Sequence, residues 1–205
     1  FVKYGCMKDE KFYDRVKKAL LFKTTSGAYL TLEEYRNRNA DGEECTVYYT
    51  SDEKRQAQMI KLYTDQGRDV VILNTLIDTN FISFLEYAEH EQKITFRRVD
   101  AATDSLTEEG ETSEDDRAKL EARFRAAMND SELTVSLKPF KSDDMIAMIT
   151  VDEQNRRLTE MSARWGGRDM NLPEKRTLAL NSKHPLIHWI ENAPDGEETN
   201  AVCAQ

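Results

Sequence analysis

His184 and His188 stand four residues apart, a spacing that on a helix turns both imidazoles one way and suits zinc. Pro185 follows His184, so no H-E-x-x-H is formed, and no third ligand is evident. A helix-entry histidine beside a surface histidine explains the pair as well, and no metal is expected. No G-x-S-x-G occurs, which excludes a nucleophile elbow. Asp143-Asp144 reads as a turn rather than a general acid/base pair. Phosphate cradles need glycines after a strand, so that backbone N–H groups can approach the anion. The two candidate turns are Thr50-Ser51-Asp52-Glu53 and Asn74-Thr75-Leu76-Ile77-Asp78, both without glycine and both carrying acid. Cys6, Cys45 and Cys203 are odd in number, far apart and without a CxxC, so reduced thiols are expected. The residues therefore predict no catalytic group, no metal and no cofactor held by this chain.

One pattern has a different character. Leu158, Met161 and Trp165 recur at i, i+3, i+7, and Met170 and Leu172 follow a Gly166-Gly167 break. The remaining faces carry Arg156, Arg157, Glu160 and Arg164. Such a stripe is either ordinary core or an apolar ridge for other proteins. Methionine adapts to varied surfaces and tryptophan offers a large anchor. Each buried side chain is worth roughly 1.5–3 kcal/mol, so a few of them make a weak, reversible contact.

The chain has 205 residues, 39% apolar and 33% charged, with a net charge of -9. That length supports one or two domains with real cores. The acidic balance repels phosphate backbones, so nucleic acid is not an expected partner. No apolar run is long enough to span a membrane, and no basic–apolar leader opens the chain. Phe1 in place of Met suggests a piece of a longer protein.

The elements that position these residues follow from local pattern. A helix is expected over 8–22, with Phe12, Val16, Ala19 and Leu20 as its apolar stripe, and Thr31 opens a short helix with Glu34 three positions on. Thr46 to Tyr49 reads as a strand, then a helix capped by Ser51 and ended by Gly67. Val70 to Leu73 is a strand buried on both faces, residues 79–89 a helix, and Ile94 to Val99 a third strand. Strand–helix–strand–helix–strand implies a parallel sheet with right-handed crossovers. Residues 100–116 crowd acids into a candidate linker. Ser113 caps a helix with Leu120, Phe124, Ala127 and Met128 inward. Strands at 133–137 and 145–149 suggest a hairpin around Lys141 to Asp144, followed by a helix at 154–165, a strand at 177–180 and a helix opened by Pro185. The tail from Asp195 is expected to be loose.

Several motifs run in order along the chain: Phe1 to Cys6, Asp9-Glu10-Lys11-Phe12-Tyr13, Leu20 to Thr25 and Leu32-Glu33-Glu34-Tyr35. Val47-Tyr48-Tyr49, Gln66-Gly67, Val70 to Leu73, Leu76-Ile77-Asp78 and Phe81 to Leu85 continue them, and the second half adds Leu158 to Trp165, Leu178 to Asn181 and His184 to Ile187. In these motifs the chain closely resembles the heat shock protein 90 chaperone family, bacterial HtpG type. The resemblance implies a mixed α/β (α+β) fold. A helical segment and a three-layer α/β/α sandwich with parallel strands (1–105, the end of a middle domain) would precede a second small α+β domain (112–205, lacking the final dimerisation helices). It implies an ATP-dependent, cytoplasmic, homodimeric chaperone of which this piece supplies surface for unfolded client proteins. It also implies docking to the protein's own N-terminal and upstream middle domains, with ATP and Mg held outside the piece and the piece itself no enzyme. Carried over by position, the client-binding residues are Asn80 and Phe81 as an exposed patch, and Leu158, Met161, Trp165 and Met170 on and beyond the amphipathic helix. Asn80 stands where some relatives have tryptophan, which leaves Phe81 as the anchor of the first patch. A purely structural spacer and dimer-coupling module is the alternative reading.

Overall fold

In the computed structural model, residues 1–40, 42–101, 106–108, 110, 113–158 and 176–204 are described in full, and residues 159–164 by their backbone. The elements in order are α1 (Val2–Lys8), α2 (Glu10–Val16), β1 (Phe22–Lys23), β2 (Tyr29–Leu30), α3 (Leu32–Asn39), β3 (Cys45–Thr50), α4 (Ala57–Asp65), β4 (Val70–Ile72), α5 (Asp78–Ala88), β5 (Ile94–Arg98), α6 (Glu114–Met128), β6 (Thr134–Lys138), β7 (Ala147–Val151), α7 (Glu153–Arg164), β8 (Arg176–Asn181), α8 (Pro185–Asn192) and α9 (Glu197–Cys203). They form two compact units, and the helix beginning at Glu153 belongs with the first rather than with the residues on either side of it. The boundary drawn from sequence, with everything from 112 onward in one domain, is corrected at that helix.

The first unit is built on a parallel sheet of order β4-β3-β5, with Tyr48 opposite Val70 and Cys45 opposite Ile94. β3 and β4 are covered on both faces, whereas the edge strand β5 alternates, with Thr95 and Arg97 exposed. Val47, Tyr49, Val71, Ile94 and Phe96 share a core with Phe81, Ile82 and Leu85 of α5. Tyr48 turns the other way, its ring 4.4 Å from that of Tyr63 on α4. The turn after α4 closes on Gly67 at φ +74, a left-handed conformation that a side chain resists. Thr31 and Glu34 make the expected capping box, Glu34 N–H donating to Thr31 Oγ1 at 3.2 Å and Thr31 N–H to Glu34 Oε2 at 2.8 Å.

The helix expected over 8–22 starts as expected but ends early, at Val16, and a 3-10 turn over Lys17–Ala19 follows it. Asp9 leaves helical geometry and its carboxylate accepts the Phe12 N–H at 3.1 Å, which starts α2. Tyr13, not Phe12, is buried, and its hydroxyl donates to Glu89 Oε1 at 2.6 Å. Ser51 does not cap α4. Asp52 takes the Lys54 and Arg55 N–H groups into a turn, and the helix starts only at Ala57.

The second unit holds a three-stranded sheet of order β6-β8-β7, β8 parallel to β6 and antiparallel to β7. The expected hairpin is therefore corrected: β8 lies between the two strands. Asn181, at the end of β8, is fully buried and saturated. Its Oδ1 accepts Phe140 N–H at 3.0 Å and Lys183 N–H at 3.1 Å, and its amide donates to Met145 O at 2.8 Å and Ser142 O at 3.2 Å. Leu120 and Phe124 of α6 pack with Val135, Leu137, Leu180, Ile187 and Ile190, while Met128 stays outside. The tail is not loose, because α9 buries Thr199 and Cys203. Part of the acidic stretch is structured as well: Leu106 is buried, and Thr107 bridges Phe140. Residues 102–105, 109, 111 and 112 of that stretch lie outside the described residues.

Candidate functional site

The expected anchor Phe81 is 1% exposed, its ring in the core of the first unit. α5 turns Phe81, Ile82 and Leu85 toward the sheet, so the notion of an exposed patch centred on Phe81 is corrected. Asn80 beside it is half-buried, and its Oδ1 has no hydrogen-bond donor among the described residues. The exposed apolar side chain of this neighbourhood is Leu76, before the helix.

α7 is the other candidate, and its first half, Glu153 to Leu158, is oriented opposite to an ordinary amphipathic helix. Arg156 is 4% exposed and Arg157 is partly buried, while Leu158 is 56% exposed. The charged face docks and the apolar residue points outward. Glu153 is the hub: its Oε1 accepts Tyr49 OH, Arg156 Nη2 and Arg157 Nε, each at 2.7 Å. Arg156 also donates to the Tyr49 hydroxyl and lies 5.8 Å over that ring. Arg157 forks onto Glu86 of α5 at 2.7 and 3.2 Å and donates to Phe96 O at 2.5 Å. Glu86 in turn accepts the Phe96 N–H at 2.7 Å.

The electrostatics are consistent with this geometry. Burial would push the Glu153 carboxyl up, but the Arg156 charge and the hydrogen bonds from Arg156, Tyr49 and Arg157 outweigh it and hold the group below the ordinary carboxylate range. Burial pushes the Tyr49 hydroxyl up, and the Glu153 charge adds to that. Met161 is on the backbone of α7 with its side chain outside the described residues, and Trp165 and Met170 lie outside them altogether. Sequence reading missed Glu153, Tyr49 and Glu86. Glu153 with arginines three and four positions on was a visible local signal, whereas Tyr49 and Glu86 gave none.

The loop after β3 does not fit a triphosphate. Ser51 N–H donates to Gln56 Oε1, Asp52 N–H to Thr50 Oγ1, and the Lys54 and Arg55 N–H groups to Asp52 Oδ1. The amides that would cradle phosphate are taken, and by an acid in two cases. His184 Nδ1 accepts the Leu186 N–H at 3.1 Å as the cap of α8. Among the described residues no cluster of His, Cys, Asp and Glu has metal-binding geometry. A separate cleft of ≈ 440 Å³ is lined by Tyr13, Lys17, Thr31, Arg36, Glu89 and Gln92. Tyr13 and Gln92 already occupy its Glu89 carboxylate, at 2.6 and 2.5 Å.

Comparison with known proteins agrees with the motif reading. The sequence profile of the family described as Hsp90 protein matches residues 1–204. A chaperone protein HtpG of Porphyromonas gingivalis is 32% identical over 93% of this chain and 30% of its own length. That of Bacteroides fragilis is 29% identical over 100% of this chain and 32% of its own. The chain thus spans about a third of the length of these curated relatives. The middle domain of a Plasmodium falciparum heat shock protein has a TM-score of 0.39 and 22% identity over 49% of this chain and 43% of that one. That likeness is too loose to support an argument.

Proposed function

The chain belongs to the Hsp90 protein family, and from that premise we propose that it supplies unfolded-polypeptide-binding surface to an ATP-driven, homodimeric chaperone. Leu158 is the described anchor of that surface, and in the sequence Met161 and Trp165 follow it at helical spacing. The observation that carries this reading is the inverted docking of the first half of α7, Arg156 buried and Leu158 56% exposed. A helix that buries ions and leaves leucine in water has given up the ordinary use of that leucine. ATP and Mg belong, on this reading, to parts of the whole protein outside these 205 residues. A cytoplasmic location goes with the same reading, and among the described residues no helix is long and apolar enough to cross a membrane.

The test is binding of a carboxymethylated, permanently unfolded polypeptide to this chain. Leu158→Ser, and separately Met161→Ala with Trp165→Ala, should each weaken binding severalfold with an unchanged melting temperature. Wild-type affinity in both variants would overturn the proposal in favour of a structural spacer. A large loss of stability would make the ridge core.

A further inference from the structure

We infer that Glu153 and Arg157 of α7, with Glu86 of α5, are positioning residues forming a releasable ionic clasp that docks α7 by its charged face and so sets the outward display of Leu158. The functional consequence rests on the polypeptide-binding reading above; the clasp itself rests on how the helix is held.

The first half of α7 reads Glu153-Gln154-Asn155-Arg156-Arg157-Leu158, and its one apolar side chain points into water. Hydrophobic burial therefore does not hold this half of the helix. A helix of 12 residues is marginal alone, so α7 needs docking to persist. Among the described residues the docking groups include two carboxylates, Glu153 and Glu86, and two guanidiniums, Arg156 and Arg157, whose charges balance. They sit where β3 and β5 end: Tyr49 and Arg98 N–H meet Glu153, and Phe96 N–H and O meet Glu86 and Arg157.

A largely desolvated ionic cluster of this kind, Arg156 buried and Glu153, Arg157 and Glu86 partly so, behaves differently from a greasy contact. Its Coulomb gain and desolvation cost nearly cancel when all members are present, but removing one leaves an uncompensated buried charge. The docked state is thus specific in register and low in net stability, the combination that permits a segment to open locally while its scaffold stays folded. Within the cluster Glu86 and Arg157 link α7 to α5 through two parallel hydrogen bonds, a geometry that fixes rotation as well as position. Rotation decides whether Leu158 faces outward.

A double-substitution cycle on this chain, read by amide hydrogen exchange, tests the clasp. Arg157→Met leaves Glu86 without its cation. Glu86→Gln removes the charge but keeps an oxygen for the Phe96 N–H. Each alone should speed exchange at residues 154–158 by about tenfold or more, with residues 47–49 and 94–96 still protected. Together they should be no worse than the more severe single change, because no charge is then stranded. Unchanged exchange in the single variants, or a double variant equal to the product of the two, overturns the clasp. Binding of the carboxymethylated polypeptide, measured on the same variants, should weaken with α7 release. Exchange that responds while binding ignores both α7 release and Leu158→Ser keeps the clasp and defeats the polypeptide reading. Binding that responds to Leu158→Ser while exchange ignores the single variants keeps the reading and defeats the clasp.

Discussion

Tyr49 and Glu153, 104 positions apart, meet hydroxyl to carboxylate at 2.7 Å, and this contact ties the start of α7 to the end of the central strand β3. Tyr49→Phe removes a charge-assisted hydrogen bond without opening a cavity. The expected loss is about 1.5–3 kcal/mol of unfolding stability, read from denaturant midpoints. Parity with the parent would mean that the hydroxyl finds water as good a partner.

Acid should loosen the same site. The native Glu153 carboxyl lies below its ordinary value of 4.5, so the unfolded chain binds that proton first. Its contribution is whole above pH 4.5 and is lost as the pH falls through the lower native value. Glu153→Gln lacks the titrating group, so the stability gap between parent and variant should narrow steadily below pH 4.5. A gap constant from pH 7 to pH 3 contradicts the assignment.

Alkali probes the neutral side of the pair. Burial raises the hydroxyls of Tyr13, Tyr35 and Tyr49 above the ordinary 10, with Glu89 and Glu153 charges adding to the first and last. Their stabilisation is present below pH 10 and lost as the pH rises through the native values. Absorbance titration of the eight tyrosines should leave these three un-ionised until alkaline unfolding, and Tyr49→Phe should reduce the late group by one.

Phe81 should behave as core. Phe81→Ala is expected to cost about 3–5 kcal/mol, whereas Leu76→Ser, at an 80% exposed site, should stay within about 0.5 kcal/mol. Equal, small effects in thermal unfolding would return Phe81 to the surface.

Asn181 should act as the staple of the second unit. Asn181→Leu leaves the Phe140 N–H and Met145 O buried without their partner, at about 1–3 kcal/mol per stranded group. Hydrogen exchange should rise first across residues 139–146. Exchange spread evenly over the unit would argue against a local staple.

Much of the first unit was legible because its signals are local. The unbroken run at Val70 to Leu73 has the pattern of a strand covered on both faces, and Thr31 with Glu34 spells a cap within four residues. Errors arose where a local pattern was ambiguous. Phe12 and Tyr13 are adjacent, and which of them turns inward was decided by the distant partners of Tyr13, Glu89 and Phe84. The strands at 134–138 and 147–151 have turn residues between them, so a hairpin satisfied the local pattern. Asn181 gave no warning, because a buried asparagine looks like a surface one until its four partners are in place.

Composition, periodicity and ordered motifs alone determined the family, the parallel sheet of the first unit and the presence of an amphipathic helix near 154–164. The tertiary structure alone decided which face of that helix is buried, that β8 separates β6 from β7, and that Phe81 lies inside. Helical and strand periods are set by neighbours three or four positions away, and these the sequence displays directly. Partnerships such as Tyr49 with Glu153 close loops of about a hundred residues, and their register is chosen by packing and charge pairing that no local repeat encodes.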